Sequence, residues 1–225
     1  MDTVSPNARP VWSFDLHYHA NVQGRRERTK RRMMAAHRHY LAATRVDFVA
    51  ATEHAYKAPL DAYQRLADVT ADLHTTVLPG VEGVSREGVD IIFLFPDEEA
   101  LRVGLQSLGP YGWAVWDAGR IARDVGALSI LAHPFTPGRS GIVTKTGEAG
   151  LVRMLGIVDM VEAHNGTGLL LSHALDRQQR RRPGLGRRMR DTLDLPEKWR
   201  WPELGLAVGS DAHYGGHQFL VGVLP

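Results

Sequence analysis

Short apolar segments alternate with longer segments of helical pattern along most of this 225-residue chain. Continuous apolar or β-branched runs are typical of strands that are covered on both faces. Seven strands are predicted, over residues 11–17, 46–52, 76–81, 89–95, 128–132, 158–163 and 206–209. The predicted helices cover residues 26–43, 60–73, 97–106, 113–125, 148–155 and 169–181. This alternation predicts an α/β fold with a parallel sheet, and its seven repeats indicate a closed barrel.

The chain is long enough for one sizeable core and shows neither an internal repeat nor a low-complexity linker. We therefore expect one domain over residues 1–225, with a loop at 134–147 and an irregular insertion at 182–202. The apolar fraction of 44% and the charged fraction of 23% are those of ordinary globular proteins, so disorder is not expected. A polar start and the lack of any run of 18 apolar residues favour a cytoplasmic protein without membrane partners.

Residue usage excludes some chemistries and leaves the role of the positive charge open. The chain has no cysteine, so a disulfide, a zinc ribbon or a thiolate nucleophile is excluded. Basic residues concentrate in two runs, 25–45 and 177–190, although the net charge is only +2. Such runs are usually solvated helix faces; alternatively, they attract an anionic substrate.

Histidines and acids recur where the predicted strands end. The side chains concerned are His17, His19, His54, Glu82, His133, His164, Asp211 and His213. In a parallel barrel the carboxyl ends of the strands meet at one face, where catalytic groups gather. His17 and His19 are two residues apart, which puts both imidazoles on one side of an extended chain. Imidazole and carboxylate without thiolate suit Zn, Mn or Fe, so a multinuclear metal site is predicted.

The ordered motifs resemble those of the PHP (polymerase and histidinol phosphatase) superfamily. They are Asp15-Leu16-His17-Tyr18-His19, Thr52-Glu53-His54, Gly80-Val81-Glu82, Ala132-His133-Pro134, His164 after the sixth strand, and Gly209-Ser210-Asp211-Ala212-His213. The resemblance spans about residues 17–213. It implies a distorted seven-stranded (β/α) barrel that holds two or three divalent metal ions.

The resemblance also implies which side chain holds which ion. The first ion would be bound by His17, His19, Glu82 and Asp211. Glu82 would bridge to a second ion, completed by His133 and His164. The third ion would be bound by His54 and His213.

One position departs from the superfamily pattern. Many relatives carry an Asp or His six residues after the second histidine, where this chain has Arg25. A guanidinium stays protonated and cannot ligate a metal, so the third site needs Asp15, His37, His39 or water to fill the gap. Arg25 could instead contact a substrate phosphate. Glu53 is expected to hydrogen-bond a ligand rather than to bind metal itself.

The activity implied is metal-dependent hydrolysis of a phosphate ester by a metal-bridged hydroxide. The expected substrate is a small phosphorylated metabolite or a nucleotide. Glu82 and Asp211 would act in catalysis through the ions, and either a third ion or a histidine such as His213 would serve to protonate the leaving group. The candidate substrate-binding residues are Arg25, Arg139 and His217.

Three other functions fit parts of the pattern. The basic runs favour an exonuclease acting on oligonucleotide ends, but no nucleic-acid-binding module is recognisable. An amidohydrolase barrel also begins with His-x-His; it generally uses a carboxylated lysine or a substitute on a middle strand, and none of the four lysines ends a strand. Arg25 alone favours a metal-binding module that has lost catalysis.

Overall fold

The computed structural model describes residues 12–136, 140–166, 202–211 and 222–224. Its strands are β1 Trp12–Tyr18, β2 Phe48–Ala51, β3 Thr76–Val84, β4 Asp90–Leu94, β5 Leu128–Leu131, β6 Met160–Asn165, β7 Gly205–Gly209 and β8 Gly222–Leu224. Its helices are α1 Glu27–Thr44, α2 Pro59–Thr70, α3 Glu98–Ser107, α4 Ala118–Asp124, preceded by a 3-10 turn at Val115–Asp117, and α5 Ile142–Leu155. The predicted helix at 169–181 and the basic run at 177–190 lie outside the described residues.

The strands form a nearly closed barrel. Their order is β7-β6-β5-β4-β3-β2-β1-β8, with β8 antiparallel to the first half of β1. The second half of β1 lies beside the chain that follows β7. There the Asp211 backbone N–H donates to the His17 carbonyl at 2.8 Å. The Ser210 N–H donates to the Asp15 carboxylate at 2.9 Å in the same region. The predicted seven-stranded barrel is confirmed, and β8 is an addition that the sequence did not indicate.

The prediction that all strands are parallel is wrong for β4. This strand is antiparallel to both of its neighbours, β3 and β5. Only residues 85–89 separate β3 from β4, whereas a parallel pair needs a crossover of about a dozen residues. The link is therefore a tight turn, closed by a hydrogen bond of 2.9 Å from the Gly88 N–H to the Ser85 carbonyl. The turn lies beyond the carboxyl end of β3.

Buried apolar side chains fill both sides of the barrel wall. Inside the barrel, Ile92, Ile130 and Ala207 form a cluster. Ile92 is paired with Glu82 and therefore shares its face of the sheet, so this cluster underlies the carboxylate. Outside, the strands pack against the helices in a cluster that includes Phe93 and Leu101.

Two helical segments differ most from their predicted bounds, and the ends of the other described helices shift by one to three residues. α5 begins at Ile142, inside the predicted loop at 134–147, and Gly147 with φ 70° kinks it. The predicted helix at 113–125 is a 3-10 turn followed by the shorter α4. α3 begins as predicted after Asp97, whose side chain accepts a hydrogen bond from the Ala100 N–H at 2.8 Å.

The first basic run forms part of α1, and two of its cations pair with acids of α2 or just beyond it. Lys30 contacts Asp61 at 2.9 Å, and Arg38 pairs with Asp72. These contacts favour the interpretation of a solvated helix face. Among the described residues, no helix combines the length and apolar character that a membrane crossing needs. The single domain and the cytoplasmic location stay predictions.

Candidate metal centre

Six of the predicted ligands lie together at the end of the barrel where β1 and β3 finish. They are His17, His19, His54, Glu82, His133 and Asp211. All are buried except His54, whose side chain is 12% exposed. Convergence of residues that are almost 200 positions apart is what the barrel prediction required.

The donor atoms of these six side chains form three overlapping groups. His17, His19 and Asp211 make the first group; His17, Glu82 and His133 make the second; His19, His54 and Glu82 make the third. In each group the atoms lie within 4.8 Å of one another. Glu82 belongs to two groups, as a bridging carboxylate would.

The spacing of the donor atoms fits a metal ion. His17 Nε2 lies 3.1 Å from His19 Nε2 and 3.5 Å from Asp211 Oδ1, and His19 Nε2 lies 3.2 Å from the same oxygen. Ligands about 2.0–2.1 Å from a tetrahedral ion are roughly 3.3 Å apart. Glu82 Oε1 is 3.2 Å from His133 Nε2, and Glu82 Oε2 is 2.7 Å from His54 Nδ1.

Two ligands occupy backbone conformations that L-residues rarely adopt. His133 has φ 26° and Asp211 has φ 48°. Such conformations cost free energy and persist where the surroundings impose them, often at functional sites. The chain next to Asp211 packs closely against β1. A Cβ on Gly209 would lie 2.2 Å from the Cβ of His17. The glycine thus lets β7 approach β1 closely enough for their ligands to meet.

Buried charges in the centre shift the pKa of its imidazoles. Burial lowers the pKa of His17, but the charges of Asp211, Glu162 and Glu82 outweigh it and raise the pKa well above its usual value. Burial is likewise outweighed at His19 and His133, whose pKa values rise to about 9. Burial raises the pKa of Glu82, yet the His17 charge and the His133 hydrogen bond hold it well below its usual range. The carboxylates therefore require positive charge at this place, which protons or divalent cations can supply.

Glu162 orients two ligands, although the sequence interpretation did not single it out. Its Oε1 is 3.1 Å from His17 Nδ1, and its Oε2 accepts the His133 backbone N–H at 2.6 Å. Asn165 Nδ2 donates to Glu162 Oε2 at 3.1 Å and to Asp211 Oδ2 at 3.0 Å. The register of β6 shifts between Glu162 and His164, which brings Glu162 and Asn165 to the same side. The signal in the sequence was an acid two residues before the expected ligand.

His164 and Glu53 have different relations to the centre. His164 lies on β6 but in none of the three donor groups. Glu53 Oε1 is 3.4 Å from His19 Nδ1 and 3.0 Å from Lys57 Nζ. Burial raises the pKa of Glu53, but hydrogen bonding to His19 and the nearby charges lower it to about 2. Glu53 thus contacts the candidate ligand His19 but does not itself belong to a donor group, in agreement with its expected role.

The residues considered for the gap at Arg25 lie elsewhere. Asp15 accepts hydrogen bonds from the N–H groups of His17 and Ser210. His37 contacts the Tyr18 hydroxyl at 2.6 Å, and His39 is exposed on α1. Arg25 itself lines a separate pocket of about 270 Å³ with Asn21, Gln23, Gly24 and Lys57. The remaining predicted site residues, His213, Arg139 and His217, lie outside the described part of the chain.

A second pocket, of about 360 Å³, adjoins the centre. His54 of the third donor group lines it, as does Asp90, whose Oδ2 lies 3.8 Å from His133 Nε2. The other lining residues are Tyr56, Val84, Arg86, Glu87, Gly88, Tyr111, Ser140 and Lys145. The pocket and the third donor group thus share His54.

No protein-family model matches the chain, and neither does any curated protein. Solved structures do share its fold. A protein from Bifidobacterium adolescentis described as a metal-dependent phosphoesterase superposes with a TM-score of 0.55 at 12% identity, over 90% of this chain and 88% of that one. PsfC from Pseudomonas syringae gives 0.54 at 17% identity, over 91% and 78%.

A third similar structure is described as an amidohydrolase. It comes from Chromobacterium violaceum, holds sulfate and no metal, and superposes with a TM-score of 0.53 at 18% identity, over 94% of this chain and 92% of that one. Together these likenesses confirm the fold that the resemblance to the PHP superfamily implied.

Proposed function

We propose that this chain, which combines the fold and the ordered motifs of PHP-like proteins, hydrolyses phosphate esters with the help of two or three divalent metal ions. The observation that carries the proposal is the convergence of six donors, all buried except the partly exposed His54, in three overlapping groups, two of which share Glu82. Four imidazoles and two carboxylates are ligands that suit Zn, Mn or Fe. Their separations of about 3 Å match those within a coordination shell.

The bound ions would supply Lewis acidity toward the phosphoryl oxygen and lower the pKa of water. The chain's own residues divide the remaining work. Glu82 and Asp211 would hold negative charge where the ions bind, Glu162 fixes the ring of His17, and Glu53 contacts that of His19. His164 as a ligand, His213 as the proton donor to the leaving group, and Arg25, Arg139 and His217 as substrate contacts belong to the proposal.

The described lysines argue against an amidohydrolase mechanism. Lys57 pairs with Glu53, and Lys30 pairs with Asp61. Lys145 lines the pocket beside the centre rather than a donor group. The described part of the chain therefore offers no lysine in the position of a carboxylated metal ligand.

Metal analysis of the purified protein, combined with a substrate panel, tests the proposal. The panel contains 4-nitrophenyl phosphate, bis(4-nitrophenyl) phosphate, a nucleoside monophosphate, a dinucleotide and an N-acyl amino acid. We expect at least two ions per chain and metal-dependent release of phosphate or alcohol. Hydrolysis of the amide alone, or of none of the phosphoesters by metal-loaded protein, would contradict the proposal.

The Glu82→Gln variant tests the role of the shared carboxylate. The neutral amide removes a negative charge from two donor groups, so we expect fewer bound ions and a loss of roughly a hundredfold or more in kcat/KM. Glu203→Gln, at an exposed site, is the matched control and should behave like the parent. Full metal content and parent-like turnover in Glu82→Gln would show that Glu82 is not a ligand.

A further inference from the structure

The pocket beside the metal centre contains two exposed aromatic rings. Tyr56 is 49% exposed and Tyr111 is 60% exposed. The Tyr56 ring stacks on the imidazole of His54, with centroids 4.8 Å apart and planes 15° apart. Tyr111 has φ 59°, and its backbone N–H donates to the Val84 carbonyl at 2.9 Å. Stacking thus holds the Tyr56 ring, a hydrogen bond fixes the Tyr111 backbone, and both residues line one pocket, where their rings can contact a planar group.

Two cations line the same pocket from different elements. Arg86 lies in the turn between β3 and β4, and Lys145 lies on α5. Among the described residues neither forms an ion pair, unlike Lys30 or Arg65 on the outer helices. Arg86 Nη2 also donates to the Gly112 carbonyl at 3.4 Å, a neutral acceptor, so the charges of both cations can still attract an anion from solvent.

The turn that carries Arg86 is fixed to the body of the barrel. The Arg86 backbone N–H donates to the Trp113 carbonyl at 2.7 Å. The Glu87 carboxylate accepts the Val115 N–H at 2.8 Å, which occupies one of the two acids that line the pocket. The other acid, Asp90, lies beside His133. The turn that carries Arg86 therefore keeps its position relative to the barrel.

We propose that this pocket is a specificity subsite for the half of the substrate that is not hydrolysed, and that it takes a planar ring together with a second anionic group. Tyr56 and Tyr111 contact the ring, and Arg86 and Lys145 contact the anion. The inference rests on the proposed function and narrows it to phosphate esters of ring-bearing compounds with a second negative charge. The alternative is that these four side chains contact only solvent and take no part in substrate binding.

A set of three substrates distinguishes a specificity subsite from side chains that contact only solvent. Phenyl phosphate carries the ring alone, 4-carboxyphenyl phosphate carries the ring and a second anion, and glycerol 2-phosphate carries neither. For the metal-loaded parent we expect kcat/KM to be lowest for glycerol 2-phosphate and highest for 4-carboxyphenyl phosphate. Arg86→Gln should reduce the ratio of 4-carboxyphenyl to phenyl phosphate about tenfold, since it removes a charge-assisted contact.

The aromatic contact has its own variant. Tyr111→Asn keeps a residue that tolerates positive φ and removes the ring. It should reduce the ratio of phenyl phosphate to glycerol 2-phosphate about fivefold. Arg123→Gln, at an exposed position of α4, is the control and should change neither ratio. Unchanged ratios in Arg86→Gln and Tyr111→Asn would overturn the subsite.

A binding measurement keeps this test independent of turnover. Calorimetry with 4-carboxybenzylphosphonate, which is not hydrolysed, reports occupancy of the pocket in the metal-loaded protein. Weaker binding by Arg86→Gln and Tyr111→Asn supports the subsite even if the parent hydrolyses no phosphoester, in which case only the proposed function fails. Binding that equals the parent's in both variants contradicts the subsite even if phosphoesters are hydrolysed.

Discussion

Glu162 connects two of the candidate ligands, His17 and His133, with the two oxygen atoms of one carboxylate. It contacts the His17 ring at 3.1 Å and the His133 backbone at 2.6 Å, and it is almost fully buried. Carboxylates that hold a ligating imidazole fix its tautomer and its orientation. We therefore regard Glu162 as a positioning residue of the proposed centre.

Replacing Glu162 by Gln should weaken metal binding by about 10–100-fold, because the amide cannot supply a negative charge behind the imidazole. Competition with a chromogenic chelator measures the affinity, with Glu203→Gln as the control. The effect should appear as a shift in the metal dependence of kcat/KM, which saturating metal partly reverses. Equal affinity in parent and variant would leave Glu162 with a purely structural role.

His37 provides a pH test away from the donor groups. Its Nδ1 contacts the Tyr18 hydroxyl and its Nε2 contacts the Ala20 carbonyl at 3.2 Å, which satisfies a neutral ring. Burial lowers the pKa of His37 from 6.5. The unfolded chain therefore takes up this proton more readily, so the contribution of His37 to stability is present above pH 6.5 and falls as the pH decreases below it.

Replacing His37 by Gln should flatten part of this pH dependence. Urea unfolding of the metal-free protein at pH 7.5 and 5.5 gives the free energy of unfolding of parent and variant. The variant should lose less stability between the two pH values than the parent does. An equal or larger loss in the variant would contradict the assigned neutral state.

Sequence reasoning at the residue scale succeeded where a strand end dictates direction. His17 and His19 share a side because they are two positions apart, and both belong to the first donor group. It passed over Glu162 because the local shift in β6, which brings this residue inward, has no composition signal. It also did not identify the pocket that Tyr56 and Arg86 line, because the loops that form this pocket meet only in the folded chain.

At the scale of elements, the seven predicted strands are present and the direction of one is reversed. The alternation of strands and helices predicts that β4 is parallel to its neighbours. The five residues between β3 and β4 cannot hold a crossover helix, so β4 is antiparallel to β3. Strand positions follow from local apolar runs, whereas strand direction follows from the connection. The short connection at 85–89 determines the direction of β4, whereas the general alternation of strands and helices does not indicate it.

The approach of β7 to β1 depends on Gly209. A Cβ there would lie 2.2 Å from His17 Cβ and 2.9 Å from the His17 backbone nitrogen. Gly209→Ala should therefore force the two strands apart, at a cost of about 1–3 kcal/mol in stability, and lower metal affinity. Gly109→Ala, where a Cβ meets nothing within 4 Å, is the control for urea unfolding and chelator competition. Parent-like values in Gly209→Ala would contradict the tight contact.

At the scale of the whole molecule, the donor groups join distant parts of the barrel. The candidate ligands come from β1 and the residue that follows it, from β3, and from the segments after β2, β5 and β7. Ions that bind only the folded chain stabilise it, by about 2.7 kcal/mol at a free concentration one hundred times the Kd. Metal removal should therefore lower the melting temperature of the entire barrel.

Thermal unfolding with and without a chelator measures this effect. The parent should melt several degrees lower after metal removal, and added Mn²⁺ or Zn²⁺ should restore it. Glu82→Gln should show a much smaller difference between the two conditions. Identical melting temperatures for the parent in both conditions would mean that the donors do not hold an ion in the folded state.

The hairpin of β3 and β4 separates two kinds of sequence change. Glu82 is locked opposite Ile92 by the pairing of Gly80–Val84 with Asp90–Leu94, whereas residues 85–89 lie beyond the paired part. One residue inserted between Gly80 and Glu82 would turn the carboxylate to the opposite face, because side chains alternate along a strand. Residues added to the turn leave that register intact and alter only the surface around Arg86. Loop grafting at this turn is thus a route by which evolution or the laboratory can change what the barrel accepts while its chemistry is retained.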